Sequence, residues 1–391
     1  MPWSQTSPMD QKTQFIADYL RRSLSFVELC EMYGISRKTG YKWVSRYLTN
    51  GPAALEDQSR RPRSSPTQTP EYIVAALIEA RQRHPSWGAK KILTLVHKKH
   101  PWWPLPHRST VCDIFKRRGL VPKKRNRRRI GHPGKPTSLT TAPNNLWAAD
   151  FKGEFKTRDG LYCYPLTITD GYSRFLLACQ GLHSTAVDHA KPVFTRVFKQ
   201  FGLPQRIRTD NGVPFATNTL ARLSRLSAWW VRLGVIPELI EPGKPQQNGR
   251  HERMHKTLKA EATRPPAATL RAQQRKFNTF RDEFNYERPH EALDQQTPAS
   301  QYQPSTREMP NRLPPLEYPN RFELRYVSAN GGIRWRSDWV NVSIVCAGEY
   351  VGLEEIDDGV WNVYFGPLKL GRFLERYMRI EDAYGRLNRR R

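Results

Sequence analysis

Two aspartates and a glutamate, Asp150, Asp210 and Glu252, stand in local settings that suit a divalent cation beside a phosphodiester. Carboxylates that converge within a few ångströms repel one another unless a cation lies between them, and an all-oxygen donor set suits Mg²⁺ or Mn²⁺. Two such ions about 3.5–4 Å apart can activate an attacking oxygen and stabilise a leaving one in phosphoryl transfer. The rest of the chain fits a polyanionic substrate. Its 391 residues hold 64 Lys and Arg against 36 Asp and Glu, a formal net charge of +28, and each phosphate neutralised by such a surface releases counterions. The 11 Trp and 38% hydrophobic content point to folded cores rather than a disordered basic tail.

The carboxylates need elements that bring them together. Asn145 to Phe151 reads as the start of a strand running through Phe155, and 162–170 and 174–180 as two more strands in an antiparallel meander. Residues 185–201 place Val187, Ala190, Val193, Phe194, Val197 and Phe198 at helical spacing and stop at Gly202. A short strand over 205–210, a helix over 217–233, a strand over 235–240 and a long helix over 245–262 follow. Asp150 then lies within one strand, Asp210 at the end of a neighbouring strand, and Glu252 on the first turns of a helix packed on that sheet. Strand ends of open α/β sheets are where sites form. Glu238 and Glu241 are rivals for the third position. On the helix of Glu252, Lys256 and Lys259 recur four and seven residues later on one face, flanked by Arg253 and His255, a face able to hold DNA phosphate.

The flanking segments read as nucleic-acid binders. Residues 10–48 read as a helix-turn-helix: Leu29 and Met32 on one helix, Gly34 in the turn, Ser36 as cap, Tyr41 and Val44 facing inward on the next helix. Arg37, Lys38 and Lys42 would face the major groove. Three short helices follow over 70–118, with Ser109 as the expected cap of the last, forming a second helix-turn-helix or a winged relative. His97, His100, His107 and Cys112 within it fit no common structural zinc spacing and read as surface residues. Between Ile114 and Ala149 the basic residues include Lys123, Lys124, Arg125, Arg127, Arg128 and Arg129, a linker suited to tracking phosphates. After a proline-rich connector at 311–319, short alternating runs punctuated by glycine predict a small β-barrel over about 320–378, followed by Arg386 and Arg389 to Arg391.

The motifs then reach a family. Trp147-Ala-Ala-Asp150, Thr209-Asp-Asn-Gly212, the run from Pro242 to Arg253, Asn285-Tyr-Glu-Arg-Pro-His-Glu-Ala-Leu293 and Thr297-Pro298 together resemble the DDE transposases of bacterial insertion sequences, with their retroviral-integrase-type core. The match covers the central region closely and the N-terminal helix-turn-helix loosely. The resemblance implies an RNase H-like core with a mixed five-stranded sheet, Asp150, Asp210 and Glu252 as its catalytic metal-binding triad, and an SH3-like DNA-binding barrel at the C-terminus. The gap of 42 residues between Asp210 and Glu252 exceeds the family's common spacing. An insertion around 219–230 would account for it. Only Glu252, not Glu238 or Glu241, lies in the Asn-Gly-x-x-Glu-Arg context.

The sequence therefore reads as a multidomain α+β protein. Its parts are a helix-turn-helix over 1–56, a linker over 57–69, a second helical reader over 70–118, a basic linker over 119–143, the catalytic core over 144–305, a linker over 306–319 and the barrel over 320–391. The expected activity is that of a transposase: it binds terminal inverted repeats, cleaves to expose 3′-OH ends and joins them to target DNA, using two Mg²⁺ or Mn²⁺ ions. Holding paired ends calls for a homodimer or larger assembly on double-stranded DNA. A catalytically silent DNA-binding regulator and an RNase H-like nuclease are the alternatives. No apolar run long enough to span a membrane occurs, the N-terminal residues carry no export pattern, and the five scattered cysteines suit a reducing compartment. A cytoplasmic protein without membrane contact or disulfides is expected.

Overall fold

The computed structural model describes residues 7–57, 59, 68–121, 140–241 and 245–383. They fall into two units, 1–68 and 69–391, each taken by itself.

The first unit holds three helices, α1 (Pro8–Arg21), α2 (Phe26–Met32) and α3 (Arg37–Asn50). Each starts at a serine whose hydroxyl accepts from a backbone N–H of the first turn: Ser7 from Asp10, Ser25 from Glu28, Ser36 from Thr39. Asp10 and Glu28 return the bond to the capping residue's own N–H, closing two capping boxes. The core is Phe15, Ile16, Leu29, Cys30, Trp43, Val44 and Leu55. One expected inward residue is corrected: Tyr41 is exposed, as is Met32 on α2. On α3 the buried positions are Gly40, Trp43 and Val44, spaced three and four apart. Tyr41 therefore sits about 100° around the helix from the inward position at Gly40, and it stacks on Phe26 from outside, ring centroids 4.1 Å apart. Gly40 marks the closest crossing, since a Cβ there would lie 2.7 Å from the Cys30 Sγ and 2.9 Å from the Phe26 ring.

The second unit begins with α4 (Glu71–Arg83), α5 (Ala89–Lys99) and α6 (Arg108–Arg117) around Ile73, Leu77, Trp87, Ile92, Val96, Val111 and Phe115. The cap of α6 is His107, whose Nδ1 accepts from the Ser109 N–H, rather than Ser109 itself. His97, His107 and Cys112 are exposed, and His100 stacks on Trp103.

The central sheet contains β1 (Leu146–Phe151), β2 (Phe155–Lys156), β3 (Tyr162–Asp170), β4 (Leu176–Leu182), β5 (Arg206–Thr209) and β6 (Ile236–Leu239). β1 pairs with β5 and β5 with β6 in parallel, while β3 pairs antiparallel with β1, β2 and β4. The strand expected to run unbroken from Asn145 through Phe155 is interrupted at 152–154. Its two pieces lie along the same edge of β3, which makes six strands of the expected five.

Alternation along the strands sends side chains to opposite faces. On one face, Trp147, Ala149, Leu166, Ile168 and Ile207 pack against α7 (Val187–Phe201) and α8 (Arg225–Arg232) through Phe194, Phe198 and Trp230. Each such fully buried side chain contributes about 1.5–3 kcal/mol relative to exposure. α7 stops at Gly202, whose φ of 75° suits glycine. The other face is covered by α9 (Gly249–Glu261) and α10 (Leu270–Asp282) through Met254, Leu258, Phe277 and Phe280. The helix expected over 217–233 is instead a 3-10 turn at Leu220–Arg222 followed by α8. Ser224 caps α8 by accepting from the Ser227 N–H and so fixes its later start.

The C-terminal region holds β7 (Glu323–Tyr326), β8 (Gly332–Trp335), β9 (Asp338–Asn341), β10 (Tyr350–Asp357), β11 (Val360–Phe365), β12 (Leu368–Leu374) and β13 (Arg379–Asp382). The expected closed barrel is not what forms. Five strands make an open antiparallel sheet in the order β13-β12-β11-β10-β7, and β8 and β9 pair only with each other among the described residues. The apolar side is sealed by the segment marked as inserted: Leu220, Ala221, Leu223, Ala228 and Val231 join Val327, Trp335, Leu353, Val363 and Phe373 in one cluster. The Ala221 N–H donates to the Asp382 carboxylate at 2.7 Å, and Arg232 pairs with Glu349 at 2.8 Å.

Replacing Gly40 with leucine should cost about 1–3 kcal/mol by overpacking the α2–α3 crossing. Hydrogen exchange across 8–50 in the full-length protein would read this as lost amide protection, and unaltered protection would contradict the close crossing.

Candidate active site

β1 and β5 run parallel, so their C-terminal ends emerge together, and these ends carry Asp150 and Asp210. Trp147 and Ala149 are committed to the α7 side, which leaves Asp150 on the α9 side. Asp210 opens an Asp-Asn-Gly turn whose Oδ1 accepts from the Gly212 N–H at 3.2 Å. Asn211 pins that turn by donating to the Ile240 carbonyl at 2.8 Å and accepting from Arg222 at 2.6 Å. Glu252 is exposed in the first turn of α9, which packs along β1.

The charges register this convergence. Burial, then the Asp210 charge and, more weakly, the Glu252 charge push the Asp150 carboxyl up to about 7. Burial also raises Asp210. The two rival glutamates are engaged elsewhere: Glu238 pairs with Arg208 at 2.6 Å, and Glu241 accepts from Gln247 at 2.8 Å. A carboxylate set that destabilises its own charge is the donor chemistry a divalent cation relieves, and oxygen donors fit Mg²⁺ or Mn²⁺.

Behind the carboxylates lies a buried polar array absent from the sequence reading. His251 and His255, one turn apart on α9, face Thr167 and Thr169 of β3. Thr167 Oγ1 lies 2.7 Å from His251 Nε2 and 2.6 Å from His255 Nε2, and Thr169 Oγ1 lies 2.8 Å from His251 Nδ1. His255 Nδ1 faces Asp150 Oδ2 at 3.6 Å. Burial pushes the His251 and His255 rings down to about 3 and about 2, so both are neutral and the contact with Asp150 is not an ion pair at neutral pH. The expectation that His255 flanks a phosphate-holding face is thereby overturned. Met254, His255 and Leu258 form the inward stripe of α9. The signal was present in the sequence as two polar residues at strand spacing opposite two histidines at helical spacing.

Arg253, Lys256 and Lys259 are exposed on α9, and Arg37, Lys38 and Lys42 are exposed on α3, with the Lys42 ammonium over the Trp43 ring at 4.8 Å. Lys123, Lys124, Arg125, Arg127, Arg128 and Arg129 lie outside the described residues, as do 242–244 and Arg386, Arg389, Arg390 and Arg391. Beside the N-terminus of α9 a cleft of about 370 Å³ is lined by Thr140, Tyr172, Arg174 and Arg250 among others. Burial, with the charges of Arg250 and Arg253, lowers Arg174 to about 10. The motif residues downstream hold the core together. Asn285 bonds both backbone polar groups of Leu176 on the edge strand β4, and Arg288 pairs with Glu261 at 2.7 Å and lies over the Trp87 ring. Those contacts and the Lys90–Glu291 pair tie the α4–α6 trio to the core.

Comparison with known proteins gives this arrangement its class. The Integrase core domain family matches residues 140–245 and, in a second form, 233–298. A Helix-turn-helix domain matches 11–63 and a Homeodomain-like domain 39–115. The middle of the chain is thus similar to integrase core domains, and the helices before it are similar to helix-turn-helix and homeodomain-like domains. Relatives include an uncharacterized 31.7 kDa protein of insertion element IS407 from Burkholderia multivorans, 24% identical over 238 residues that span 60% of this chain and 82% of the relative. An uncharacterized 39.2 kDa protein of insertion element IS476 from Xanthomonas euvesicatoria is 26% identical over 63% of this chain and 69% of its own. The Gag-Pol polyprotein of baboon endogenous virus is 27% identical over half of this chain and 11% of its own. Among solved structures, the HTLV-2 integrase catalytic core domain in complex with magnesium aligns with 42% of this chain and 99% of its own, at 15% identity and a TM-score of 0.34. No described helix is long and apolar enough to cross a membrane.

The raised Asp150 carboxyl fixes a sign. Between its ordinary value of 3.8 and about 7 the folded state holds a proton that the unfolded state has released. Stability therefore falls as pH rises through that window. Asp150→Asn should flatten this part of the profile in thermal melts from pH 4 to 8, and a profile identical to wild type would show that Asp150 titrates normally.

Proposed function

We propose that this chain is a transposase of an insertion sequence: it binds terminal inverted repeats, cuts the DNA to expose 3′-OH ends and joins them to target DNA. The observation that carries this reading is the raised Asp150 carboxyl, pushed up by burial and by the charges of Asp210 and Glu252 at one end of the β1–β5 pair, in a segment similar to integrase core domains and beside an exposed basic helix face. Asp150, Asp210 and Glu252 would hold one or two Mg²⁺ or Mn²⁺ ions, which when bound supply activation of the attacking oxygen and charge neutralisation at the phosphate. The chain's own part is positioning. The rigid strand ends and the pinned Asp-Asn-Gly turn fix two of the carboxylates, and Lys256 and Lys259 on the face of Glu252, with Arg253, hold the phosphates of the DNA end. Water attacks in line during cleavage and the freed 3′-OH attacks during joining, with no covalent enzyme intermediate.

The flanking parts complete the assignment. The α1–α3 unit reads DNA through Arg37, Lys38 and Lys42, the α4–α6 trio and the basic segment 119–143 extend the contact along the duplex, and the C-terminal sheet offers exposed Arg334, Arg372 and Arg376 as a further DNA-binding surface. Bringing two ends together calls for a homodimer or larger assembly on DNA.

The deciding measurement is strand transfer with Mg²⁺ on labelled DNA carrying the element's ends. Wild type is expected to give joined products, and Asp150→Asn, Asp210→Asn and Glu252→Gln to bind DNA but lose both cleavage and joining. Binding without chemistry in wild type would instead make the protein a regulator, and cleavage without joining a nuclease. In the same assay, Lys256→Glu with Lys259→Glu should weaken end binding and reduce its salt dependence by about two phosphate contacts. Unchanged end binding would remove that helix face from the DNA path.

A further inference from the structure

We propose that His255 is a positioning residue for the metal-binding carboxylate Asp150, with Thr169, His251 and Thr167 behind it setting which ring nitrogen carries the hydrogen. The inference rests on the metal site proposed above and adds residues that lie outside the carboxylate triad.

The geometry gives the direction. Thr167 has one hydroxyl hydrogen and three neighbours: His255 Nε2 at 2.6 Å, His251 Nε2 at 2.7 Å and the Asp150 carbonyl at 3.1 Å. One ordering points a hydrogen at the Asp150 carboxylate and gives up only the bond from Thr167 to the Asp150 carbonyl. Thr169 donates to His251 Nδ1, His251 donates from Nε2–H to Thr167, and Thr167 donates to His255 Nε2. That leaves the hydrogen of His255 on Nδ1, pointed at Asp150 Oδ2, 3.6 Å away. At that separation the ring does not form a full hydrogen bond. It acts by presenting a positive N–H edge that favours one rotamer of the carboxylate.

In the opposite ordering Thr167 gives its hydrogen to the Asp150 carbonyl and both rings donate to Thr167. That ordering keeps the bond to the carbonyl, but once Asp150 is charged, as a cation ligand is, a bare Nδ1 lone pair would face its carboxylate in a buried site, a repulsive contact. His251 is not free to serve as a ligand, although its ring atoms lie within 4.8 Å of those of Asp150 and His255, because Thr167 and Thr169 occupy both its nitrogens. An outer partner that orients a ligand in this way is commonly worth about 10–100-fold in metal affinity.

The test uses full-length protein without DNA and reads Mn²⁺ binding by electron paramagnetic resonance, with thermal melts to confirm folding. An asparagine amide nitrogen overlays imidazole Nδ1, whereas a glutamine amide overlays Nε2. His255→Asn is therefore expected to keep Mn²⁺ affinity within a few-fold of wild type. His255→Gln and His255→Leu are expected to lose about 10–100-fold. Thr169→Val, two residues along β3 from Thr167, should weaken binding in the same direction by releasing the hydrogen ordering, and it stands in if the leucine variant does not fold. Glutamine matching wild type while asparagine fails would assign the ring a purely structural bond to Thr167 and overturn the proposal. So would His255→Asp binding as tightly as wild type, which would make the ring itself a ligand. Asp150→Asn is the separate control: Mn²⁺ affinity unchanged in that variant would sink the metal site itself, and the positioning role with it.

Discussion

Like charges held together in a half-buried place are the constraint on which the structure turns. Asp150 at about 7 is a carboxyl that the fold keeps in an unfavourable position, and nothing local to the strand would hold it there. The opposition comes from the two apolar layers. Trp147 and Ala149 lock the register of β1 against α7, and Met254 and Leu258 lock α9 against the opposite face. The backbone resists moving one carboxylate away, because each adjoins a buried residue: Ala149, Thr209 and His251. The unfavourable charge on Asp150 is thus held in place by packing.

That arrangement explains the division of labour along α9. Its outward stripe carries Glu252, Lys256 and Lys259, while its inward stripe carries His251, Met254, His255 and Leu258. Along the inward side Met254 lies between the two histidines and Leu258 follows one turn after Met254. The hydroxyls of Thr167 and Thr169 meet the imidazoles at the depth where an unpaired polar group would be most costly. A helix so divided has little freedom to rotate, which fixes the azimuth of the exposed lysines relative to Asp150.

Much of this was legible in the sequence, and the failures are instructive. Apolar spacing located α7 and its end at Gly202, and the strands around Asp150 and Asp210 followed from their β-rich runs. Where helix starts depend on a side-chain cap, as at Ser224 or His107, or on one position of helical phase, as with Tyr41 against Trp43, periodicity alone placed residues wrongly. The break in the first strand at 152–154 slips the pairing with β3 by one residue and turns Phe155 to the α9 side while Phe151 packs on the α7 side, a change that two phenylalanines four residues apart do not announce. His255 was misplaced because a histidine beside basic residues looks solvated until its partners are known. Those partners come from β3, more than 80 residues earlier. The C-terminal strands were visible as alternation, but whether a sheet closes depends on strand length and on what else covers its apolar side, and here that cover comes from over 100 residues upstream.

That shared cover changes what kind of object the C-terminal sheet is. Leu220, Leu223 and Val231 belong to the segment between the second and third carboxylates, yet they spend their apolar surface on Val327, Leu353 and Phe373. A frameshift or stop codon ahead of β7 would not yield a shorter protein with an intact centre. It would yield one whose segment around 220–231 turns its apolar side to water, and such an exposed patch favours aggregation.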